Sequence, residues 1–278
     1  MEGLSQGNRL NSLLDNLSGH VKLEKDEMDA LVLLNQDLEE EFGDLPSSID
    51  EMIIRFLPLY NGIFAVSPLK RPFSEATPEL FFRDDYYDGR DAVKLERLYS
   101  IEKDTLKCWS DYFADVILPG LFRNLDGEVV NGGIKSPASL KERMESRMAD
   151  DRPQPLNRIR DLIRGRFIGK SIRDVEKALG ILRATSMDEI VSFVNYYCKM
   201  FIYWREDHKI KPHLAANIVF RIDDDLAYEL QVMTKRASII GKLDHPVRVK
   251  RSVDLSQDQK KYLEALTWGS HLHDFREY

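Results

Sequence analysis

Glu229 and Gln231 lie side by side in a run that reads as a β-strand, Leu226–Thr234. Leu226, Tyr228, Leu230 and Val232 alternate with Ala227, Glu229, Gln231 and Met233, so the apolar set faces a core and the carboxylate and carboxamide share the other side. A charge on so apolar a strand must be solvated, paired or part of a site, because burying it alone costs too much. A second carboxylate, Asp161, sits among Arg158, Arg160, Arg164 and Arg166. It suits a hard cation while the arginines hold phosphates, or else belongs to a local salt-bridge cluster. A third group is Lys135, Ser136, Ser139 and Arg143. Ser136 is a good N-cap, Pro137 suits the first helical position, and Ser139 and Arg143 share a face of the first turns. A helix N-terminus with Lys135 just ahead of it is a ready anion site. The plainer reading is a cap with solvated cations beside it.

These groups need elements to hold them. Spacing predicts a helix over Ala138–Ala149 and a strand leaving a loop at the end of Arg158–Ile168. Ser171-Ile172-Arg173-Asp174 then caps a helix through Val175, Leu179 and Leu182. Ser186-Met187-Asp188-Glu189 has the capping-box form and predicts a long helix with Ile190, Phe193, Val194, Tyr197, Phe201 and Trp204 inward. A polar loop with Lys209 and His213 leads to a hairpin, Asn217–Ile222 and Leu226–Thr234, around Asp223-Asp224-Asp225. Lys235–Leu243 is helical, and Gln257–Trp268 is a last helix. Asn131-Gly132-Gly133 reads as a turn.

Upstream, residues 1–22 are polar, a loose leader or a short helix. Glu24–Phe42 is helical with Met28, Leu31, Leu34 and Leu38 in one stripe, stopped at Gly43-Asp44-Leu45-Pro46. Ser48-Ile49-Asp50-Glu51 starts another helix, Phe64–Asp88 is irregular, and Arg90–Leu118 is a long helix ended by Pro119-Gly120. The chain therefore reads as α+β in three parts: a mostly helical region over 1–125, a mixed-sheet core over 126–252 flanked by helices, and a C-terminal helix and tail over 253–278.

With 278 residues, 43% hydrophobic and 31% charged, the chain can bury a large core. Its 40 basic and 47 acidic residues give −7, unlike a general DNA-binding protein. Cys108 and Cys198 form no disulfide framework or zinc-type spacing, which fits a reducing cytoplasm. No signal peptide is expected after Met1-Glu2-Gly3, and no run approaches a membrane span. His271 and His273, read as exposed, have no third metal ligand nearby.

From Lys135 to His245 the order of motifs resembles the RelA/SpoT-like nucleotidyltransferases, the alarmone synthetases. Ile134-Lys135-Ser136-Pro137 with Ser139 resembles that family's ATP-phosphate-binding start. Asp161-Leu162-Ile163 with Arg166 resembles its Asp-hydrophobic-x-Gly-x-Arg strand, and Glu229-Leu230-Gln231-Val232 with Thr234 its Glu-hydrophobic-Gln-hydrophobic-x-Thr strand. Leu243-Asp244-His245 resembles the closing Leu-Glu-His. The resemblance implies a nucleotidyltransferase-like core and Mg²⁺-dependent transfer of pyrophosphate from ATP to a ribose 3′-hydroxyl. It implies that Asp161 and Glu229 hold Mg²⁺, with Glu229 helping to deprotonate the hydroxyl. Lys135, Ser136, Ser139, Arg143, Arg164 and Arg166 would meet ATP phosphates. Lys209 would meet acceptor phosphates, His213 would stack on the acceptor, and Gln231 would orient it. Such chemistry rests on charge neutralisation and in-line positioning.

Two stretches depart from the family. Gly133 stands where an adenine-stacking Arg is common. Pro212-His213-Leu214-Ala215-Ala216-Asn217 replaces the Gly-Tyr-x-Ser-x-His acceptor loop. The resemblance implies a guanine or adenine nucleotide as acceptor, with the 3′ end of tRNA as an alternative, and the two departures favour a further alternative, a catalytically degenerate nucleotide-binding role. Lys235, Arg236, Lys242, Arg248, Lys250 and Arg251 are the candidate tRNA contacts, or a solvated face. The N-terminal helices leave room for a protein partner or a second copy of the chain.

Overall fold

Alternating side chains build the centre of the molecule. The structure, a computed structural model, describes residues 6–43, 51, 104–136, 138–139, 161–184, 190–195, 215–222, 227–246 and 254–276. Five strands form one sheet: β1 (Gly127–Ile134), β2 (Ile163–Gly169), β3 (Ile190–Asn195), β4 (Ala216–Arg221) and β5 (Ala227–Thr234), in the order β1-β2-β5-β4-β3. The central pair, β2 and β5, is parallel, and every other pair is antiparallel. With helices around it, the fold is α+β.

The register aligns the apolar residues of three strands. Ile163 pairs with Tyr228, Gly165 with Leu230 and Phe167 with Val232; Ile218 pairs with Leu230 and Phe220 with Tyr228. All are buried. Phe113 stacks on Tyr228 with ring centres 4.3 Å apart, and Phe122 lies 4.4 Å from Phe167. Gly165 is required here: a Cβ at this position would lie 1.9 Å from the Tyr228 hydroxyl oxygen.

Among the described residues six helical elements accompany the sheet. Residues 104–122, α3, carry Phe113 and Phe122. Helix α4 (Ile172–Ala184) packs on β2 and β5, with Ile172, Val175, Ala178, Leu179 and Leu182 buried. Its start is the expected capping box: Ser171 Oγ accepts from the Asp174 N–H, and the Asp174 carboxylate accepts from the Ser171 N–H, both at 3.3 Å. Thr234 ends β5 and caps α5 (Lys235–Asp244), accepting the Ala237 N–H at 3.1 Å. Helices α1 (Gln6–Ser18) and α2 (Lys25–Phe42) pack together and against α6 (Gln257–Arg276). Thus 1–22 contains a helix with Leu10, Leu14 and Leu17 buried. Gly43 stops α2 at φ 72°, where an L side chain is strained.

Four expectations are overturned. Ile190–Asn195 is a strand paired with β4, not the start of a helix. Its run of β-branched and aromatic residues fits a pleated surface, and an available strand edge overrides the helical spacing. Asn131-Gly132-Gly133 lies inside β1, where the register shifts between Asn131 and Gly133. Gly133 takes φ 65° at this bulge. Pro119-Gly120 does not end α3. A π-helical turn, Phe113–Ile117, precedes Leu118–Phe122, and the Leu118 N–H bonds the Phe113 carbonyl. That wider turn accommodates a proline that offers no N–H. Tyr112, just ahead of this turn, and Val116 within it are exposed. Finally, the last helix runs to Arg276 and His271 is fully buried, while the His273 Nε2 sits 3.1 Å from an Asp37 carboxylate oxygen.

The capping box Ser186–Glu189, the stretch Phe64–Asp88 and the turn Asp223–Asp225 lie outside the described residues. So do nearly all of the helix expected from Ser48 and most of Ala138–Ala149, of which Glu51, Ala138 and Ser139 are described and helical.

Candidate functional site

The second face of the same strands is polar. Register sets Arg164 beside Glu229 and Arg166 beside Gln231 on the parallel pair, with Asn217 of β4 beside Gln231 on the other side. All five side chains are half-buried. Arg166 Nε donates to Gln231 Oε1 at 3.2 Å, and Asn217 Nδ2 donates to Glu229 Oε1 at 3.3 Å. Burial pushes the Arg166 guanidinium below its ordinary pKa, the Arg164 charge pushes the same way, and Glu229 opposes both. The face therefore gathers two guanidiniums around one carboxylate. Gly132 of β1 lets Arg164 lie close: a Cβ there would come within 2.8 Å of the Arg164 Cγ.

At the end of the β1–β2 ladder stand Lys135 and Asp161. Lys135 directly follows β1, and its N–H bonds the Leu162 carbonyl at 2.8 Å, extending the ladder past Ile134 and Ile163. That pairing brings Asp161, just ahead of β2, diagonally across from it. Lys135 Nζ donates to Asp161 Oδ2 in an ion pair whose side chains are 10% and 13% exposed. Ser136 caps the turn that follows: its Oγ accepts the Ser139 N–H at 3.2 Å and donates to Ser139 Oγ at 2.9 Å. Asn131 Oδ1 anchors the bulge upstream, accepting from the Gly133 N–H at 2.8 Å and the Ser110 hydroxyl at 2.9 Å.

Of the residues expected at a site, Arg164, Arg166, Glu229 and Gln231 come together on one face, Lys135 and Asp161 form a pair, and Ser136 and Ser139 form the cap. Arg143, Lys209 and His213 lie outside the described residues. Asn217 was not expected. Its signal was the alternation of β4, in which residue 217 falls on the polar side opposite Ile218. Of the basic residues considered for RNA, three hold acids of the protein itself: Lys235 pairs with Asp26 at 2.5 Å, Lys242 with Glu27 at 2.5 Å, and Arg236 with Asp274 at 3.0 Å. Arg248, Lys250 and Arg251 lie outside the described residues.

A hard divalent cation takes oxygen ligands. Asp161 and Glu229 offer carboxylate oxygens, and Mg²⁺ is commonly held by one or two carboxylates plus water and substrate phosphates. Among the described residues no cluster of three or more His, Cys, Asp or Glu side chains could hold a metal alone. The remaining ligands would come from water and substrate. Also among the described residues, no helix is long and apolar enough to cross a membrane.

No family model and no curated protein matches the chain. Among solved structures, the chain is similar to the small alarmone synthetase 1 from Bacillus subtilis bound to its product pppGpp. That likeness has 16% identity and a TM-score of 0.49, over 66% of this chain and 95% of that one. It is also similar to a GTP pyrophosphokinase family protein from Streptococcus pneumoniae, at 19% identity and a TM-score of 0.45, over 67% of this chain and 92% of that one. A third is the small alarmone synthetase 2 from Bacillus subtilis, at 16% identity and a TM-score of 0.40, over 64% and 90%. At these identities and TM-scores the likeness says nothing about activity, which has to rest on the residues themselves.

Proposed function

We propose that the protein is a Mg²⁺-dependent pyrophosphokinase that moves the β,γ-pyrophosphate of ATP to a ribose 3′-hydroxyl of a nucleotide. One observation carries the reading. On a single half-buried face, Glu229 stands beside Arg164, with Arg166, Gln231 and Asn217 around it and Asp161 at the strand entrance. The motif order resembling the RelA/SpoT-like enzymes adds support. In this reaction the 3′-oxygen attacks the β-phosphorus, the bond from that phosphorus to the α,β-bridging oxygen breaks, and AMP leaves. Glu229 takes the hydroxyl proton. Arg164, Arg166, Lys135 and the Ser136–Ser139 cap neutralise and orient the triphosphate. Gln231 orients the acceptor, with Lys209 on its phosphates and His213 against its base. Mg²⁺, held by Asp161 and Glu229, would supply positive charge along the phosphate chain.

A second reading is a nucleotide-binding protein without turnover. The Lys135–Asp161 pair favours it, since each group already holds the other. Incubation with γ-labelled ATP, Mg²⁺ and GDP or GTP, ADP or ATP, or deacylated tRNA separates the two. AMP release with label in one acceptor is the expected result, and the labelled acceptor identifies the substrate. Tight ATP binding with label in none of them would sink the enzyme.

A further inference from the structure

The bulge in β1 decides how Lys135 is presented. Up to Asn131 the strand pairs residue for residue with β2, Asn131 facing Gly165. One residue is then skipped, so that Gly133 faces Arg164 and Ile134 faces Ile163. Ile134 thereby packs against the core, and the Lys135 N–H reaches the Leu162 carbonyl at 2.8 Å. Without the extra residue, Gly132 would take the place opposite Arg164, Ile134 would move on to Leu162, and Lys135 to Asp161. A slip of one residue sends each side chain to the other side of a sheet, so the direction of Lys135 depends on the bulge.

The Asn131 carboxamide ties that bulge to its own backbone and to α3. Its Oδ1 accepts the Gly133 N–H at 2.8 Å, beside the Gly133 φ of 65°. The same oxygen accepts the Ser110 hydroxyl at 2.9 Å, and Asn131 Nδ2 donates to Asp111 Oδ1 at 3.0 Å. Ser110 is 1% exposed, so α3 offers a hydroxyl fixed by packing rather than one that turns freely in water. From this geometry we infer that Asn131 is a positioning residue for the phosphate site: tied to α3, it locks the register that directs Lys135 toward the triphosphate. The inference rests on the phosphate role proposed for Lys135. It gives the helical region ahead of the sheet a part in nucleotide binding, through Ser110 and Asp111.

Calorimetric binding of the α,β-methylene analogue of ATP with Mg²⁺, read beside urea unfolding, tests this without turnover. Asn131→Ala should bind the analogue about tenfold more weakly at unchanged stoichiometry. Lys135→Ala should also bind weakly, and adding Asn131→Ala to it should cost no more than about twofold further, because the residue acts through Lys135. A merely structural Asn131 would lower the unfolding midpoint in both backgrounds and leave the affinity of the folded protein alone. Asn131→Asp sets a carboxylate against Asp111 and should weaken binding. Combining it with Asp111→Asn restores a donor facing an acceptor at the same total charge, and should return the affinity to within about twofold of the wild type. If Asn131→Ala binds like the wild type while Lys135→Ala does not, the positioning role is overturned and the phosphate role of Lys135 stands. Losses that add in full, or an exchanged pair that stays weak, overturn it as well. If Lys135→Ala binds like the wild type, the phosphate role falls and the positioning role with it.

Discussion

Tyr228 and Glu229 are neighbours in the chain, and β5 sends them to opposite sides of the sheet. Tyr228 is fully buried against Phe113, with its hydroxyl over Gly165. Glu229 is half-buried among Arg164, Asn217 and Gln231. β2 repeats the contrast, with Gly165 and Phe167 on the packed side and Arg164 and Arg166 on the polar one. The same strands therefore carry stability on one face and charge on the other, separated by one residue. Substitutions should separate in the same way, so that one face controls unfolding and the other controls binding and turnover.

The largest effect is expected at Glu229. Glu229→Gln should lower pyrophosphate transfer by about 10²–10⁴-fold, the range for a general base, while thermal unfolding stays near the wild type. A variant that turns over normally would remove Glu229 from the chemistry, and one that unfolds would break the division between faces. On the packed side, Gly165→Ala should cost roughly 1–3 kcal/mol in urea unfolding, because the new methyl group meets the Tyr228 hydroxyl. Adding Tyr228→Phe should recover much of that loss. Alone, Tyr228→Phe should be near neutral, since the hydroxyl is buried with no hydrogen-bond partner among the described residues. A double variant as unstable as Gly165→Ala would show that the clash lies elsewhere.

Acid should reach the helical packing through His271. Burial lowers its pKa from 6.5 to about 3. Between those values the unfolded chain binds a proton that the folded protein refuses, so stability is full above about pH 6.5 and falls as pH drops toward 3. The loss should be about 1 kcal/mol per pH unit within that window. His271→Phe should flatten it, as read by urea midpoints from pH 7 to 4.5; an unchanged slope would assign the acid sensitivity to other groups. The smallest effect is expected at Asn217, whose hydrogen bond to Glu229 comes from a neutral amide and is long, 3.3 Å. Asn217→Ala should reduce transfer by about tenfold, the worth of one ordinary hydrogen bond, with little change in unfolding. A larger loss in unfolding than in transfer would move Asn217 to the packed side of the ledger.

Period-two alternation made β5 and its hairpin partner readable before any coordinates, together with the division of Tyr228 from Glu229. Caps made α4 and the end of α2 readable, because Ser171 and Gly43 act within a few residues of themselves. What escaped depends on distant partners. β3 follows from the open edge of β4, which no local spacing encodes. The bulge at Gly133 depends on pairing with Arg164, and the continuation of α3 past Pro119 depends on a π turn that propensity does not foresee. Lys135 and Asp161 were each picked out, but as separate ligands. Their pairing arises only when β1 meets β2 across the intervening chain. His271 looked like a solvent-exposed ring because the last helix was cut short at Trp268.

Helix α6 has a consequence for the birth of the protein. It holds segments made far earlier: Arg9 through Asp258, Asn35 through Tyr262, and Glu41 through Arg276. The same helix grips the β5–α5 junction, where Thr234 donates to Asp274 at 2.6 Å. Such contacts close very long loops, which slows folding. On the ribosome, the leucines of α1 and α2 must wait for most of the chain to be synthesised before α6 can cover them. During that interval the nascent chain presents two amphipathic helices with bare apolar stripes, the kind of surface that recruits chaperones or aggregates.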